Sequence, residues 1–505
     1  MIALLALFAC DTSGQLELDD GSLVELDTGA IDELTDADMG LDWDDPDFRP
    51  QIDRSAPNGQ PISIPLGSSN AYTVAKSELK GEGDNARLGI SVRNAGDVNG
   101  DGLNDLVAGS LNNSNDGAAY MNKSKFWLGN LRADGSKGKW YGETGAASKA
   151  GEQVGAGGDI DGDGQDDWMI GARAWDDTVE TWKVNAGAAY VVYGYHRGTN
   201  TLPASEWVIE GDLANEFTGA GVAIAGDLNS DGYDDMLVGA NGSDINGTES
   251  GAVFVFYGPL TSNTSTGSAD AAIGGESAGD EVGPRLFNAG DMDGDGVADF
   301  AVGVRGEDTN GVDSGAVYII TSTTLPSTLA DADVILRGNQ ASSEIGSGLR
   351  AAGDLDGDGK DDLIVGALGH TQFGSAFVAY GGITSGKLAQ LSTAKFYGQL
   401  AGDQFGSDVT AGDVDGDGDI DIIVAANRQG SGDRGAVYIF YGPSSGTVSA
   451  TSADSKIVGV ADGDKFGSSI DYVPDTTTTG YHTVAVGASS RGSNNKGAVY
   501  LFKVP

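Results

Sequence analysis

Six copies of one nonapeptide pattern, Asp-x-(Asp/Asn)-x-Asp-Gly-x-x-Asp, begin at Asp97, Asp159, Asp227, Asp291, Asp354 and Asp413. Oxygen side chains at positions 1, 3 and 5 of a tight turn point to one centre. The glycine at position 6 lets the chain bend, position 7 offers its backbone carbonyl, and position 9 closes the shell. A hard cation wants this set, and Ca²⁺ takes six to eight oxygens at about 2.3–2.6 Å. The expected ligands of the first loop are Asp97, Asn99, Asp101, Leu103 and Asp105. The second offers Asp159, Asp161, Asp163, Gln165 and Asp167; the third Asp227, Asn229, Asp231, Tyr233 and Asp235. The fourth offers Asp291, Asp293, Asp295, Val297 and Asp299; the fifth Asp354, Asp356, Asp358, Lys360 and Asp362; the sixth Asp413, Asp415, Asp417, Asp419 and Asp421. Position 7 varies freely, Lys360 included, as a carbonyl ligand allows.

Two other readings compete. An EF-hand needs a glutamate at position 12 and flanking helices. Position 12 here is Ala108, Ile170, Val238, Val302, Val365 and Val424, so that reading fails. An Asp-Gly turn can also be a plain hairpin turn. Six copies with three or four ligand carboxylates each would repel without a cation, which favours six Ca²⁺ sites.

The loops start 62, 68, 64, 63 and 59 residues apart, so each sits at one place on a repeated unit. Other pieces recur in fixed order. A hydrophobic-Gly pair precedes the loop: Leu88-Gly89, Val154-Gly155, Val282-Gly283, Ile345-Gly346 and Phe405-Gly406, with Thr218-Gly219 in unit three. An apolar run follows it, such as Asp235-Met-Leu-Val-Gly-Ala240. Next comes a Gly-Ala-aromatic run, such as Gly315-Ala-Val-Tyr-Ile-Ile320, and then a variable run such as Ala394-Lys-Phe-Tyr397. Short β-rich runs bounded by Gly, Asn, Asp and Ser read as strands and turns. Four strands per period suggest an all-β chain built as a β-propeller of four-stranded blades.

Phe466-Gly467, Val484-Ala-Val-Gly-Ala488 and Gly497-Ala-Val-Tyr500 make a seventh unit. Its loop, from Asp475, puts Thr477, Thr479 and Thr483 at ligand offsets, so no calcium is expected there. The unit ends at Pro505, after its third strand. Ala75-Lys-Ser-Glu-Leu-Lys-Gly81 occupies a fourth-strand position before Leu88-Gly89, so an N-terminal strand is expected to complete the last blade.

This constellation resembles the FG-GAP repeat family, known from the N-terminal seven-bladed propeller of integrin α subunits, over roughly residues 70–505. The resemblance implies calcium loops between the first two strands of a blade, and ring closure by an N-terminal strand. Two units depart from it. Unit two lacks about four residues between Val154-Gly155 and Asp159, which predicts a short or bulged first strand, and unit one has an atypical third strand around Ala118–Trp127.

The net charge of −46 argues against nucleic acid or an anionic membrane surface as partner. The lone cysteine, Cys10, excludes a disulfide within the chain. Leu7-Phe8-Ala9-Cys10, after an apolar start, resembles the lipobox of bacterial lipoprotein signal peptides. That implies lipidation at Cys10 as the sole membrane attachment; the alternative is an ordinary secretion signal with an incidental cysteine. Residues 1–10 then form a signal, residues 11–64 an acidic flexible linker, and residues 65–505 the propeller. His196, His370 and His482 lie in different units with no shared motif and read as surface residues, and no nucleophile elbow is present. The reading is an exported, monomeric, non-enzymatic surface module that binds a protein or glycan ligand. The alternatives are a polysaccharide-processing enzyme on a propeller scaffold and a purely structural surface component.

Overall fold

A computed structural model describes residues 77–504 except 113–115, 124–128, 133–137, 144–147, 177–182, 203–204, 322, 443–444, 475–481 and 493. It also describes strand segments at 15–17, 23–25 and 67–70. Cys10, most of the acidic linker and the seventh unit's loop up to Tyr481 lie outside the described residues. Contacts divide the chain into Met1–Pro61 and Ile62–Pro505. In the first unit Gln15–Glu17 pairs antiparallel with Leu23–Glu25, a short hairpin where the sequence suggests only an extended linker.

The second unit is a seven-bladed propeller of four-stranded blades. Blade five shows the pattern: Ile345–Gly353, Asp362–Ala367, Ser375–Ala379 and Ala394–Tyr397 pair antiparallel in that order. Its second and third strands are buried along their whole length, because a neighbouring blade covers each face. The core is therefore a ring of seams rather than one centre. The seam between blades seven and one joins Leu79, Val473, Val499 and Leu501 to Leu88, Val92, Leu106 and Tyr120.

The motif glycines explain how close the blades come. A Cβ on Gly366, in the second strand of blade five, would lie 2.1 Å from the carbonyl oxygen of Gly406 in blade six. The same contact joins Gly239 to Gly283 at 2.1 Å and Gly487 to Gly89 at 2.0 Å. The Val-Gly-Ala glycine and the hydrophobic-Gly glycine are two halves of one backbone contact, and the second half also adopts φ of +87° at Gly406.

Unit two departs from the expected opening pair. Ala150, not Val154, bridges the preceding blade, at Gly117, as Val282 bridges Gly251 and Ile345 bridges Gly315. A Cβ on Gly109 would lie 2.0 Å from the carbonyl oxygen of Gly151. The pair is therefore Ala150-Gly151, and unit two lacks no residues. Alanine hid the pair because its side chain is too small to stand out as the apolar partner. The first strand is still short, Val154–Ala156. Unit one's third strand, Ala118–Asn122, is a regular buried strand like its counterparts.

The outer edges of six blades are covered by a fifth strand, and blade three has only the Gly274–Thr328 bridge there. In blade five, Gly446–Ser449, from the connection between the third and fourth strands of blade six, pairs parallel with the fourth strand. Covering an edge leaves no open ladder for another chain. At the chain's start one segment does two of these tasks. Gly67–Asn70 covers the edge of blade six along Ser455–Val458, and Ser77–Lys80 pairs with Ala498–Leu501 as the fourth strand of blade seven.

Leu79 and Leu336 hold equivalent fourth-strand positions, opposite Val499 and Val317, and both are buried. Leu79→Ala and Leu336→Ala should each destabilise by about 2–5 kcal/mol in urea unfolding. A cost only for Leu336→Ala would show that the N-terminal strand is dispensable to its blade.

Candidate metal centres

All six loops connect a first strand to a second strand, so they share one face of the propeller. Their backbones are held by their own carboxylates. In every loop the position-6 glycine N–H donates to Oδ2 of position 1, at 2.6–3.0 Å. The position-7 N–H donates to Oδ1 of position 5 in every loop. The position-6 glycines have φ between +81° at Gly102 and +95° at Gly418, where a Cβ would strain the bend.

Position 9 differs from the others because it stands at the entry to the second strand. Asp105, Asp167, Asp235, Asp299, Asp362 and Asp421 are all at 0% exposure. In five loops Oδ2 accepts the position-2 N–H at 2.7–2.8 Å. In four, Oδ1 accepts a glycine N–H beyond the third strand: Gly194, Gly258, Gly381 and Gly442. One buried carboxylate thus ties loop, hairpin and third strand together. In blade four Asp299 Oδ1 is buried without a hydrogen-bond partner among the described residues.

These carboxylates are poorly placed to be ions unaided. Burial pushes the Asp167, Asp235 and Asp299 carboxyls up to about 7, and those of Asp362 and Asp421 up to about 6. A bound cation reverses that penalty, because its charge favours the ionised form.

Four of the loops bring three carboxylate oxygens within 4.8 Å of one another. They are Asp159, Asp161 and Asp167; Asp291, Asp293 and Asp295; Asp354, Asp356 and Asp362; and Asp413, Asp415 and Asp421. Loops one and three, with asparagine at position 3, form no such triad among the described residues. There Asn99 Nδ2 donates to Asp105 and Asn229 Nδ2 donates to Asp231. Rotating either amide would turn its oxygen inward, an assignment the hydrogen-bond network decides. The donor set is all oxygen and mostly anionic, and so fits a hard cation.

Position 8, unremarkable in the sequence, carries a link between loops. Asp166 Oδ2 accepts the Asp97 N–H at 2.6 Å, Asp234 the Asp159 N–H at 2.8 Å, and Asp361 the Asp291 N–H at 2.8 Å. In return, the backbone N–H of each position-8 residue donates to the carbonyl of the same position-1 residue. Each link holds position 1 of one loop to position 8 of the next blade's loop. The available signal was the Asp-Asp doublet at positions 8 and 9, present in loops two, three and five. The other loops have Asn104, Ala298 and Ile420. Where blade seven meets loop six, Tyr472 takes over: its hydroxyl donates to the Asp413 carbonyl at 2.9 Å and its ring stacks on His482.

The histidines do not converge. His196 pairs with Glu206 at 2.7 Å. His370 is not a surface residue: it is 4% exposed, against Phe377 and Tyr397, with Nδ1 2.8 Å from Ser375 Oγ. Its loop folds inward, and burial lowers its pKa.

The FG-GAP repeat profile matches residues 218–256, 286–320, 351–379 and 405–440, which take in loops three to six. These four stretches are FG-GAP repeats. The chain is also similar to integrin α subunits. It is 36% identical to Drosophila melanogaster integrin α-PS5 over 112 residues, 21% of this chain and 10% of the relative. It is 29% identical to Homo sapiens integrin α-IIb over 224 residues, 43% of this chain and 20% of the relative. It is 27% identical to Drosophila melanogaster integrin α-PS2 over 287 residues, 53% of this chain and 19% of the relative. The chain thus spans a fifth or less of the length of these relatives. Blades one, two and seven, outside the matched FG-GAP stretches, hold the disguised Ala150-Gly151 pair and the Tyr472 substitute.

Asp361→Ala should destabilise by about 1–2 kcal/mol in urea unfolding, because the Asp291 N–H loses its acceptor. An unchanged midpoint would show that the loops are not coupled in this way.

Proposed function

We propose that this chain is an exported, calcium-stabilised binding module that engages a protein or glycan ligand through the face opposite its metal loops. The carrying observation is the placement of exposed apolar side chains. Val184, Ile245, Val312 and Phe373 lie between second and third strands, and Leu213 and Leu400 lie between one blade and the next. Antiparallel strands put both kinds of connection on the face away from the loops. Of the large exposed apolar side chains among the described residues, only Leu391 falls elsewhere. Exposed apolar groups gathered on one side mark interaction surfaces. The similarity to integrin α subunits supports an adhesion role at a cell surface, and no enzymatic activity is proposed.

In this reading the six loops hold Ca²⁺ through the aspartates and asparagines at positions 1, 3, 5 and 9, with carbonyls of Leu103, Gln165, Tyr233, Val297, Lys360 and Asp419. The ions are structural. They neutralise buried carboxylates and stabilise the folded state by mass action, since the unfolded chain binds them poorly. Extracellular modules of this kind bind in the ~10⁻⁴–10⁻³ M range, which suits an exported protein. Lipidation at Cys10 would supply the anchor. Among the described residues no helix is long and apolar enough to cross a membrane.

Two measurements test this. Native mass spectrometry in calcium should count six ions, and EDTA should lower the melting temperature strongly; zero or one ion, or an unchanged melt, removes the metal reading. On glycan and extracellular-protein arrays, Val312→Asp combined with Leu213→Asp should abolish wild-type binding without changing the melt. Equal binding by that variant would rule out the proposed face.

A further inference from the structure

The first strands of the blades line the axis of the propeller, and their inward side chains carry a charge pattern opposite to that of the chain. The protein has 75 acidic and 29 basic residues. Yet Arg93 of blade one, Arg285 of blade four and Arg350 of blade five converge on the lumen. The Arg93 and Arg350 guanidiniums both lie over the Phe287 ring, 5.6 and 4.6 Å from its centroid. Since Arg93 and Phe287 belong to blades one and four, this contact crosses the lumen.

The countercharges are few and already engaged. Asp471 accepts the Asn94 N–H at 2.9 Å and the Thr410 hydroxyl at 3.2 Å, and Asp408 accepts the Ile470 N–H at 2.9 Å. Two of these bonds satisfy inner-edge N–H groups of neighbouring strands. Only Arg350 reaches a carboxylate, at a long 3.6 Å to Asp471. Arg93 and Arg285 make no ion pair among the described residues, and Arg285 makes no side-chain hydrogen bond there. Arg350 is 8% exposed, and its Nη2 is buried without a partner. Burial first, and Arg350 next, disfavour the charge on Arg93, and they outweigh the opposing pull of Asp408 and Asp471. Guanidiniums keep their protons, so the crowding calls for a further anion. Stacking on Phe287 offsets part of the cost and orients the forks, while leaving donors free.

We propose that the axial lumen is an oxyanion-binding site, formed by Arg93, Arg285 and Arg350 around Phe287, for a sulfate- or phosphate-like group or a carboxylate. Guanidinium forks match both geometries and bind them by charge-assisted hydrogen bonds. The site is separate from the metal loops and from the apolar face, and it stands whether or not either of those binds its ligand.

The test is calorimetric titration of the full calcium-loaded chain with sodium sulfate and, separately, sodium acetate, against sodium chloride at matched ionic strength. One sulfate or one acetate per chain is expected, with affinity falling about tenfold or more in Arg350→Gln. Arg285→Gln, at a partly buried position, carries the same expectation should Arg350→Gln not fold. Saturation by sulfate alone assigns a tetrahedral anion, by acetate alone a carboxylate, and both outcomes support the site. No saturable binding beyond chloride, or equal binding by the folded variants, overturns it.

Discussion

Backbone-to-backbone contact between neighbouring blades is the constraint on which the other features depend. A second-strand glycine lies against a carbonyl of the next blade so closely that Cβ positions fall 2.0–2.1 Å from oxygen at Gly109, Gly239, Gly366 and Gly487. No side chain fits in those four gaps, so the blades approach there as near as their backbones permit; at the seam between blades six and seven Ala425 stands in the glycine's place, its Cβ beside Gly467. Interiors packed at this density tolerate little change in volume. The same closeness brings the first strands together around the axis. There Ser91, Ser469, Asp408 and Asp471 meet inner-edge N–H groups of adjacent blades. The crowded arginines in the lumen follow from that geometry.

The aspartate loops extend this coupling to one rim of the ring. A carboxylate with no exposure begins each second strand after a calcium-type loop, where it holds its own loop and, in four blades, the exit from the third strand. Such a group requires hydrogen bonds, countercharge or both. The backbone supplies the hydrogen bonds, and a cation would supply the charge. Position-8 aspartates then join loop one to two, two to three and four to five, so a change at one of these rim positions reaches the next blade. Blade seven keeps the link through Tyr472.

Much of the fold was legible in the chain because the period repeats each constraint. Six aspartate loops set the ruler, and the Val-Gly-Ala and Gly-Ala-aromatic runs placed the strands between them. Legibility failed where a constraint acts between blades. Val154-Gly155 looked like the repeat's opening pair, but contact with Gly109 selects Ala150-Gly151, since a glycine's carbonyl and not its neighbour's hydrophobicity is what the seam uses. Asp166, Asp234 and Asp361 carry no local signal of their role, because their partners lie about seventy residues earlier. His370 looked like a surface residue because a loop's inward course leaves no periodic signal.

Local chemistry is what the sequence by itself determined: oxygen side chains at alternating positions, a glycine where the loop bends, four strands per period and seven periods. All of these depend on residues within one unit, where spacing along the chain equals spacing in the fold. The tertiary structure alone decided which residues meet between units. It placed Arg93 across the axis from Phe287, set Asp361 against Asp291, and put six of the seven large exposed apolar side chains among the described residues on one face. Those contacts arise from closing a ring, and closure brings together positions that no local pattern relates.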